Sequence, residues 1–385
     1  MRSAPAFAAL LHVTAAAQPH IVVLLADDLG WAGVSWNNPE VVTPHLEELR
    51  AGGVALERHY TYRFCSPTRS AFLTGRLAPH VNQMNHNNDE PGGGMHVNYT
   101  TIAAVLRGAG YETLHAGKWH LGMAHAAMLP AARGFDASLA YLSGAEDHWT
   151  QIRSECLAAP DLWDTLAPAV GRNGTAYGDE LYAARVVDAI VANGGARPLF
   201  VYYAMQVAHA PNEAPDVDLA LYDGICDDDS GGGGAARVGA AQCSTRQQYE
   251  AMATFVDRAA RNVTAALNAS GMWASTLLLF TPDNGGPSGT DSDSANNYPL
   301  RGGKYSDFDG GIRTAAFVAG GALPPGARGR VLGSARAHVI SIADWYRTFA
   351  TLAGAADAAD AAAAAAGLPP LDSIDHWPLL SGQAD

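Results

Sequence analysis

Four short apolar runs in this chain end in side chains that bind ions or move protons. Residues 21–26 lead into Asp27 and Asp28, and residues 276–281 lead through Pro282 into Asp283 and Asn284. Residues 111–116 lead into Lys118 and His120, and residues 199–205 are followed closely by His209. Each piece alone is commonplace, because an Asp pair after a strand is a frequent turn or cap and Asp-Asn-Gly-Gly reads as a tight turn. A lone histidine is likewise more often structural than catalytic. Together the four ends place three carboxylates, an amide, two imidazoles and an amine on one rim, provided that the runs are neighbouring strands. Such an oxygen-rich set suits a hard cation, Ca²⁺ or Mg²⁺, better than zinc, and no H-E-x-x-H or paired-cysteine spacing points to zinc.

The elements that would position these groups are strand-like runs alternating with helical segments, the pattern of a largely parallel α/β sheet with helices on both faces. In such sheets ligands sit beyond the carboxyl ends of the strands. Thr43 and Pro44 read as the N-cap and first residue of a helix that stops at Gly52 or Gly53; further helices are expected over 101–107, 179–192, 245–268 and 342–352. The segment Cys65-Ser66-Pro67-Thr68-Arg69 is the sharpest local signal. Pro67 suits a first helical turn, which puts Cys65 at a positive helix N-terminus where an anion or its attacking oxygen is stabilised. A small buried thiol at a helix start is the plainer reading of the same residue.

The whole segment from Cys65 through Leu73-Thr74-Gly75-Arg76 resembles the signature of type I sulfatases, in which the cysteine is oxidised to formylglycine. HIVVLLADDLGW, GYETLHAGKWHLG, RGFDASLAYLSGAEDHW, TPDNGG and NYPLRGGKYSDFDGGIR extend the resemblance over residues 19–382, most like the arylsulfatase B, or N-acetylgalactosamine 4-sulfatase, group. The resemblance implies an alkaline-phosphatase-like fold, a mostly parallel sheet sandwiched by helices. It implies that Asp27, Asp28, Asp283 and Asn284 hold one Ca²⁺, with the modified Cys65 and the substrate sulfate completing the shell. Arg69, Lys118 and His120 would orient the formylglycine hydrate and neutralise its charge. Lys118, His209 and Lys304 would meet the sulfate, the last two facing the leaving oxygen as well. The role of Lys304 rests on the resemblance, since the residue alone reads as an exposed charge. The substrate would be a sulfated sugar or an aryl sulfate, and a formylglycine-generating enzyme would be a partner during maturation. Pro282 stands where close relatives carry Thr or Ser, a change expected to be tolerated because the ligands follow it. Family members continue into a small C-terminal domain, a short antiparallel sheet packed by a helix, and the sequence ending soon after LDSIDHWPLLSGQAD is expected to lack it.

Composition frames these expectations. With 385 residues, 48% hydrophobic and 16% charged, the chain has material for a sizeable core. Its net charge of −14 opposes non-specific binding to nucleic acid or an anionic membrane, so an anionic substrate needs a local cluster of cations or a metal. Residues 1–17 resemble a signal peptide, leaving 18–385 as the catalytic unit, and no apolar stretch is long enough to span a bilayer. Asn98, Asn173, Asn262 and Asn268 head glycosylation sequons, consistent with the secretory pathway and a lysosome-like or extracellular destination. Of four cysteines, Cys226 and Cys243 bracket a Gly-rich stretch and are expected to pair in an oxidising compartment. Two low-complexity patches, 227–236 and 355–367, read as surface insertions without an obvious chemical group, and the second also reads as a short alanine-rich helix. Two competing readings remain: a phosphodiester or phosphonate hydrolase of the same superfamily, and a sulfated-glycan binding protein whose Cys65 is never oxidised.

Overall fold

The computed structural model describes residues 18–85, 90, 92–153, 159–222, 240–288, 294–333, 338–356 and 359–384, with the side chains of 240–244 outside that description. The expected signal peptide, Cys156 and the proposed Cys226–Cys243 bond therefore lie outside what is described; Cys65 is a free, buried thiol.

Residues 21–26 are all fully buried, which is why they read as an unbroken apolar run: they form the middle of the sheet and have no solvent face. The strands are β1 (His20–Ala26), β2 (Val54–Tyr60), β3 (Glu112–Lys118), β4 (Ala137–Tyr141), β5 (Trp163–Asp164), β6 (Ala167–Pro168), β7 (Leu199–Ala204), β8 (Thr276–Pro282), β9 (Arg313–Ala319), β10 (Arg330–Leu332) and β11 (Ile340–Ser341). They make one sheet in the order β10-β2-β9-β8-β1-β7-β3-β4-β5-β6, with β11 also paired to β2. The central block β8-β1-β7-β3-β4 is parallel throughout. β9 runs antiparallel to both β8 and β2, which gives β2 the direction of the central block. The mostly parallel α/β sheet expected from the sequence is thus observed, with antiparallel strands confined to its flanks.

Alternate side chains of β1 enter two cores. Val22, Leu24 and Ala26 join the helices Pro44–Gly52, Gly178–Asn193 and Ala240–Ala269 on one face. Ile21, Val23 and Leu25 join the helices Cys65–Thr74, Ile102–Gly108 and Asp344–Leu352 on the other. Burial of both faces rests on the apolar area that these helices remove from water, and it fixes the level at which every central strand ends.

Local details depart from expectation in three places. Pro44 opens its helix as predicted, but the Thr43 hydroxyl accepts from the Ser35 amide (2.8 Å) rather than capping. β3 runs two residues further than its apolar stretch, so Lys118 is the last residue of the strand rather than the first of a loop. The 355–367 patch forms the short alanine-rich helix that its composition allowed, Ala361–Ala365, but it does carry a chemical group: Asp360 caps that helix through the Ala363 amide (3.2 Å) and pairs with the buried Arg76 at 3.0 Å.

Candidate active site

The carboxyl ends of β1, β8, β3 and β7 lie side by side, and the residues that follow them meet. Asp27 and Asp28 leave β1, Asp283 and Asn284 leave β8, and all four are buried. β2 points the same way and delivers the chain through Thr61 to Cys65. Phe64 is extended (φ −141°, ψ 160°), and Cys65 opens the helix Cys65–Thr74 with Pro67 in its first turn. The thiol Sγ sits 3.5 Å from Asp27 Oδ1. Burial, and then the Asp27 charge, push that thiol far above its ordinary value. As plain cysteine it is protonated and a poor nucleophile, despite its helix position.

Arg69, one turn along the same helix, ties the ends of β8 and β3 together. Its Nε and Nη2 donate to Asp283 Oδ2 at 3.1 and 2.8 Å, and its Nη1 donates to the Lys118 carbonyl at 3.1 Å. The Lys118 ammonium donates to Asp27 Oδ2. Gly117 makes that approach available: its φ is +92°, and a Cβ there would stand 2.0 Å from the Ala204 carbonyl oxygen of β7. Asp28 takes φ +56°, an uncommon conformation for a non-glycine residue, and so aims its carboxylate inward. There it accepts from Asn284 Nδ2 and from Lys304 Nζ, both at 2.7 Å. Burial works to raise the Asp28 carboxyl, but the Lys304 ammonium, then His209 and Lys118, outweigh it and hold it below the usual carboxylate range. Burial and the neighbouring Asp27 push Asp283 the other way, up to about 6.

Lys304 is only 8% exposed, contrary to its plain sequence reading, because its loop is stitched to the β8 turn. Its amide donates to the Gly286 carbonyl at 3.1 Å, and the Gly285 amide donates to the Gly311 carbonyl at 2.9 Å. A Cβ on Gly285 would fall 1.8 Å from the Gly310 oxygen, so Asp-Asn-Gly-Gly is required for contact and not only for a turn. Burial opposes the Lys304 charge, yet the Asp28 carboxylate holds its pKa well above the ordinary value, so it stays protonated.

His120 (φ +54°) and His209 complete the rim. His120 is buried, its Nδ1 has no partner, and its ring lies against Gly144. Burial first, and then the Lys118 charge, drive its pKa well down, so it is neutral. Burial, then Lys304 and Lys118, lower His209 to about 3. His209 Nδ1 lies 2.7 Å from the Ala210 carbonyl, which can only accept, so this nitrogen carries the proton. Nε2 then presents a lone pair 3.6 Å from Asp28 Oδ2.

The crowded carboxylate oxygens of this rim are a place for a cation. Ligand atoms of Asp27, Asp28, Cys65 and His209 all lie within 4.8 Å of one another. Asn284 Oδ1 is buried without a partner. Three carboxylates are already matched by Arg69, Lys118 and Lys304, so a divalent ion among these oxygens would make the site net positive within an acidic protein. The donor set therefore fits a hard cation.

The sulfatase family model matches residues 19–355. The chain belongs to the sulfatase family. Mouse arylsulfatase J is 31% identical over 339 residues, 87% of this chain and 52% of that protein. Human arylsulfatase A is 28% identical over 331 residues, 78% of this chain and 58% of that protein. The chain thus spans a little over half the length of these sulfatases. Among solved structures, Ps i-CgsB in complex with k-i-k-neocarrahexaose superposes with a TM-score of 0.79 at 26% identity, covering 96% of this chain and 77% of that one. The phosphonate monoester hydrolase of Agrobacterium radiobacter shares the fold, with a TM-score of 0.60 at 21% identity.

All ten residues singled out from the sequence of this sulfatase family member, Asp27, Asp28, Cys65, Arg69, Lys118, His120, His209, Asp283, Asn284 and Lys304, converge on this rim. Sequence reasoning missed the groups that hold it. Asp179 accepts from the Gln206 and Val207 amides, both at 3.2 Å, and so fixes the turn that carries His209. Its only signal was an acidic residue in a helix first turn. Arg76, inside the quoted motif, was given no task.

Proposed function

We propose that this chain hydrolyses sulfate monoesters of sugars, using Cys65 after its oxidation to formylglycine by a formylglycine-generating enzyme. The observation that carries the reading is a buried, protonated thiol at a helix N-terminus, ringed by Arg69, Lys118 and Lys304, in a chain of the sulfatase family. As an unmodified group it is badly placed for attack; as an aldehyde hydrate it would supply one hydroxyl to attack sulfur and a second to release sulfate. Asp27, Asp28, Asp283 and Asn284, beside Cys65, would hold one Ca²⁺, which would supply positive charge against the ester oxygens.

The remaining roles fall to side chains. Arg69 and Lys118 hold Asp27 and Asp283 in place and offset charge at the position of Cys65. Lys304, kept protonated by Asp28, is a cationic donor for the ester. His209 is neutral with Nε2 open; an arriving anion raises its proton affinity, so the same atom is suited to pass a proton to the leaving alcohol. His120 is a neutral imidazole in the field of Lys118 and Arg69. The neocarrahexaose held in the Ps i-CgsB complex supports a sugar substrate, and the motif resemblance supports the arylsulfatase B group in particular. Exposed Asn98, Asn262 and Asn268 and half-buried Asn173 support glycosylation during secretion. Among the described residues no helix is long and apolar enough to cross a membrane.

The test is the mass of the tryptic peptide spanning residues 64–69 from protein that has passed through a secretory pathway, read beside sulfate release. An aldehyde at position 65 and release lost in Cys65→Ala support the reading. An unmodified thiol with no turnover, or release that survives Cys65→Ala, overturns it; a phosphate diester or phosphonate cleaved much faster than any sulfate would reassign the ester.

A further inference from the structure

Tyr305 combines features that ordinary packing does not explain. Its side chain is 60% exposed, yet it is held firmly: the Tyr305 amide donates to the Arg63 carbonyl at 3.0 Å, and its ring meets Phe64 edge-on at 5.4 Å. Phe64 is the residue before Cys65, and the Arg63 guanidinium lies over the Phe64 ring (5.0 Å) while pairing with Asp307 at 2.9 Å. The Tyr305 backbone has φ +77°, a strained value for a bulky side chain. On its other side the Lys304 ammonium is 5.3 Å from the ring centroid, and that same ammonium is 2.7 Å from Asp28. An exposed, preorganised, strained aromatic ring therefore stands beside the rim, one side-chain contact from its buried cation Lys304.

Strain that folding does not require is retained where the position serves a ligand. An aromatic face beside a cation has a definite complement: a ring that offers an apolar C–H face and carries an anionic ester at its edge. A sulfated pyranose has both. An ester held by the Lys304 ammonium leaves its own sugar ring within reach of the Tyr305 face.

We propose that Tyr305, braced by Phe64 and Arg63, is a stacking subsite for the pyranose ring that bears the sulfate, and so a specificity residue for sulfated oligosaccharides. This rests on the sulfate-ester reading above, but it is tested without turnover. In a Cys65→Ala background, binding is measured by calorimetry for a chondroitin 4-sulfate tetrasaccharide, a carrageenan hexaose and inorganic sulfate. Adding Tyr305→Ala is expected to weaken the better-bound sugar about five- to tenfold, the scale of one lost aromatic contact, and to leave inorganic sulfate within about twofold. Tyr305→Trp is expected to keep sugar binding. Tyr305→Gly separates ligand from fold: glycine relieves the positive φ, so the melting temperature holds or rises while sugar affinity falls. Equal weakening of sugar and sulfate, no change for any sugar, or failure of both sugars to bind would overturn the subsite. Failure of the sulfatase reading would instead appear as an unmodified Cys65 and absent turnover, with sugar affinity still answering to Tyr305.

Discussion

Two buried charge clusters hang from opposite ends of the helix Cys65–Thr74, and they are built on opposite plans. Just past the C-terminal end, Arg76 is saturated: Nε donates to the Pro369 carbonyl (2.7 Å), Nη1 to the Thr74 carbonyl (2.8 Å), and Nη2 pairs with Asp360. Asp360 is equally occupied by the Thr100 hydroxyl (2.7 Å), the Thr100 amide (3.1 Å) and its own helix. At the N-terminal end, Asn284 Oδ1 and His120 Nδ1 have no partner, Asp28 and His120 take left-handed backbone, and carboxylates crowd one another. The first cluster satisfies itself and is a structural staple. The second is complete only with something added, the expected mark of a ligand site.

The sharpest break between them should appear on removing one side chain from each. Cys65→Ala is expected to lower sulfate release by about a thousandfold or more while leaving the melting temperature nearly unchanged, since a buried methyl replaces a buried thiol. Activity and thermal melts on the same preparation check this. Asp360→Ala should do the reverse. It strands a buried guanidinium, which costs about 3–5 kcal/mol of stability in a denaturant titration, and leaves KM and kcat of the folded fraction as they were.

A third experiment asks whether the open cluster wants a cation. Ca²⁺ is expected to raise the melting temperature of the chain, by about 2.7 kcal/mol of added stability at a hundredfold excess over its dissociation constant, and a chelator should reverse the gain. Asn284→Ala should abolish this response, whereas Asp360→Ala should keep it. A calcium response that survives Asn284→Ala would move the ion elsewhere.

The two clusters were also unequally legible in the sequence. The open one was visible because central strands buried on both faces are unbroken apolar runs, and a run that stops at Asp-Asp or Asp-Asn is conspicuous. β2 was not expected, because Glu57 and Arg58 interrupt its pattern at the register shift between Leu56 and His59. Lys304 is 276 residues from the carboxylate it contacts, and only the glycine-packed loop brings it there. Asp360 sits in an alanine run whose local signal is a cap and nothing more. Tyr305 carried no signal at all, since exposure and a positive φ are properties of the fold.

The smallest effect concerns the residue that joins the open cluster to the sheet. Asp179 is fully buried, and burial raises its pKa to about 7 against the lowering pull of the Gln206 and Val207 amides. Its folded value lies above its unfolded one, so its contribution is full below about pH 4 and is lost as pH rises through 7. Between pH 5 and 7 this amounts to ~2 kcal/mol, with the protein more stable on the acid side. Asp179→Asn keeps the shape and one acceptor but cannot titrate. It should flatten that slope in denaturant titrations at a series of pH values, even if it shifts stability as a whole. A slope that persists unchanged would assign the effect to another buried acid. Glu146 is then the candidate, since burial also raises its carboxyl and its Oε2 has no partner.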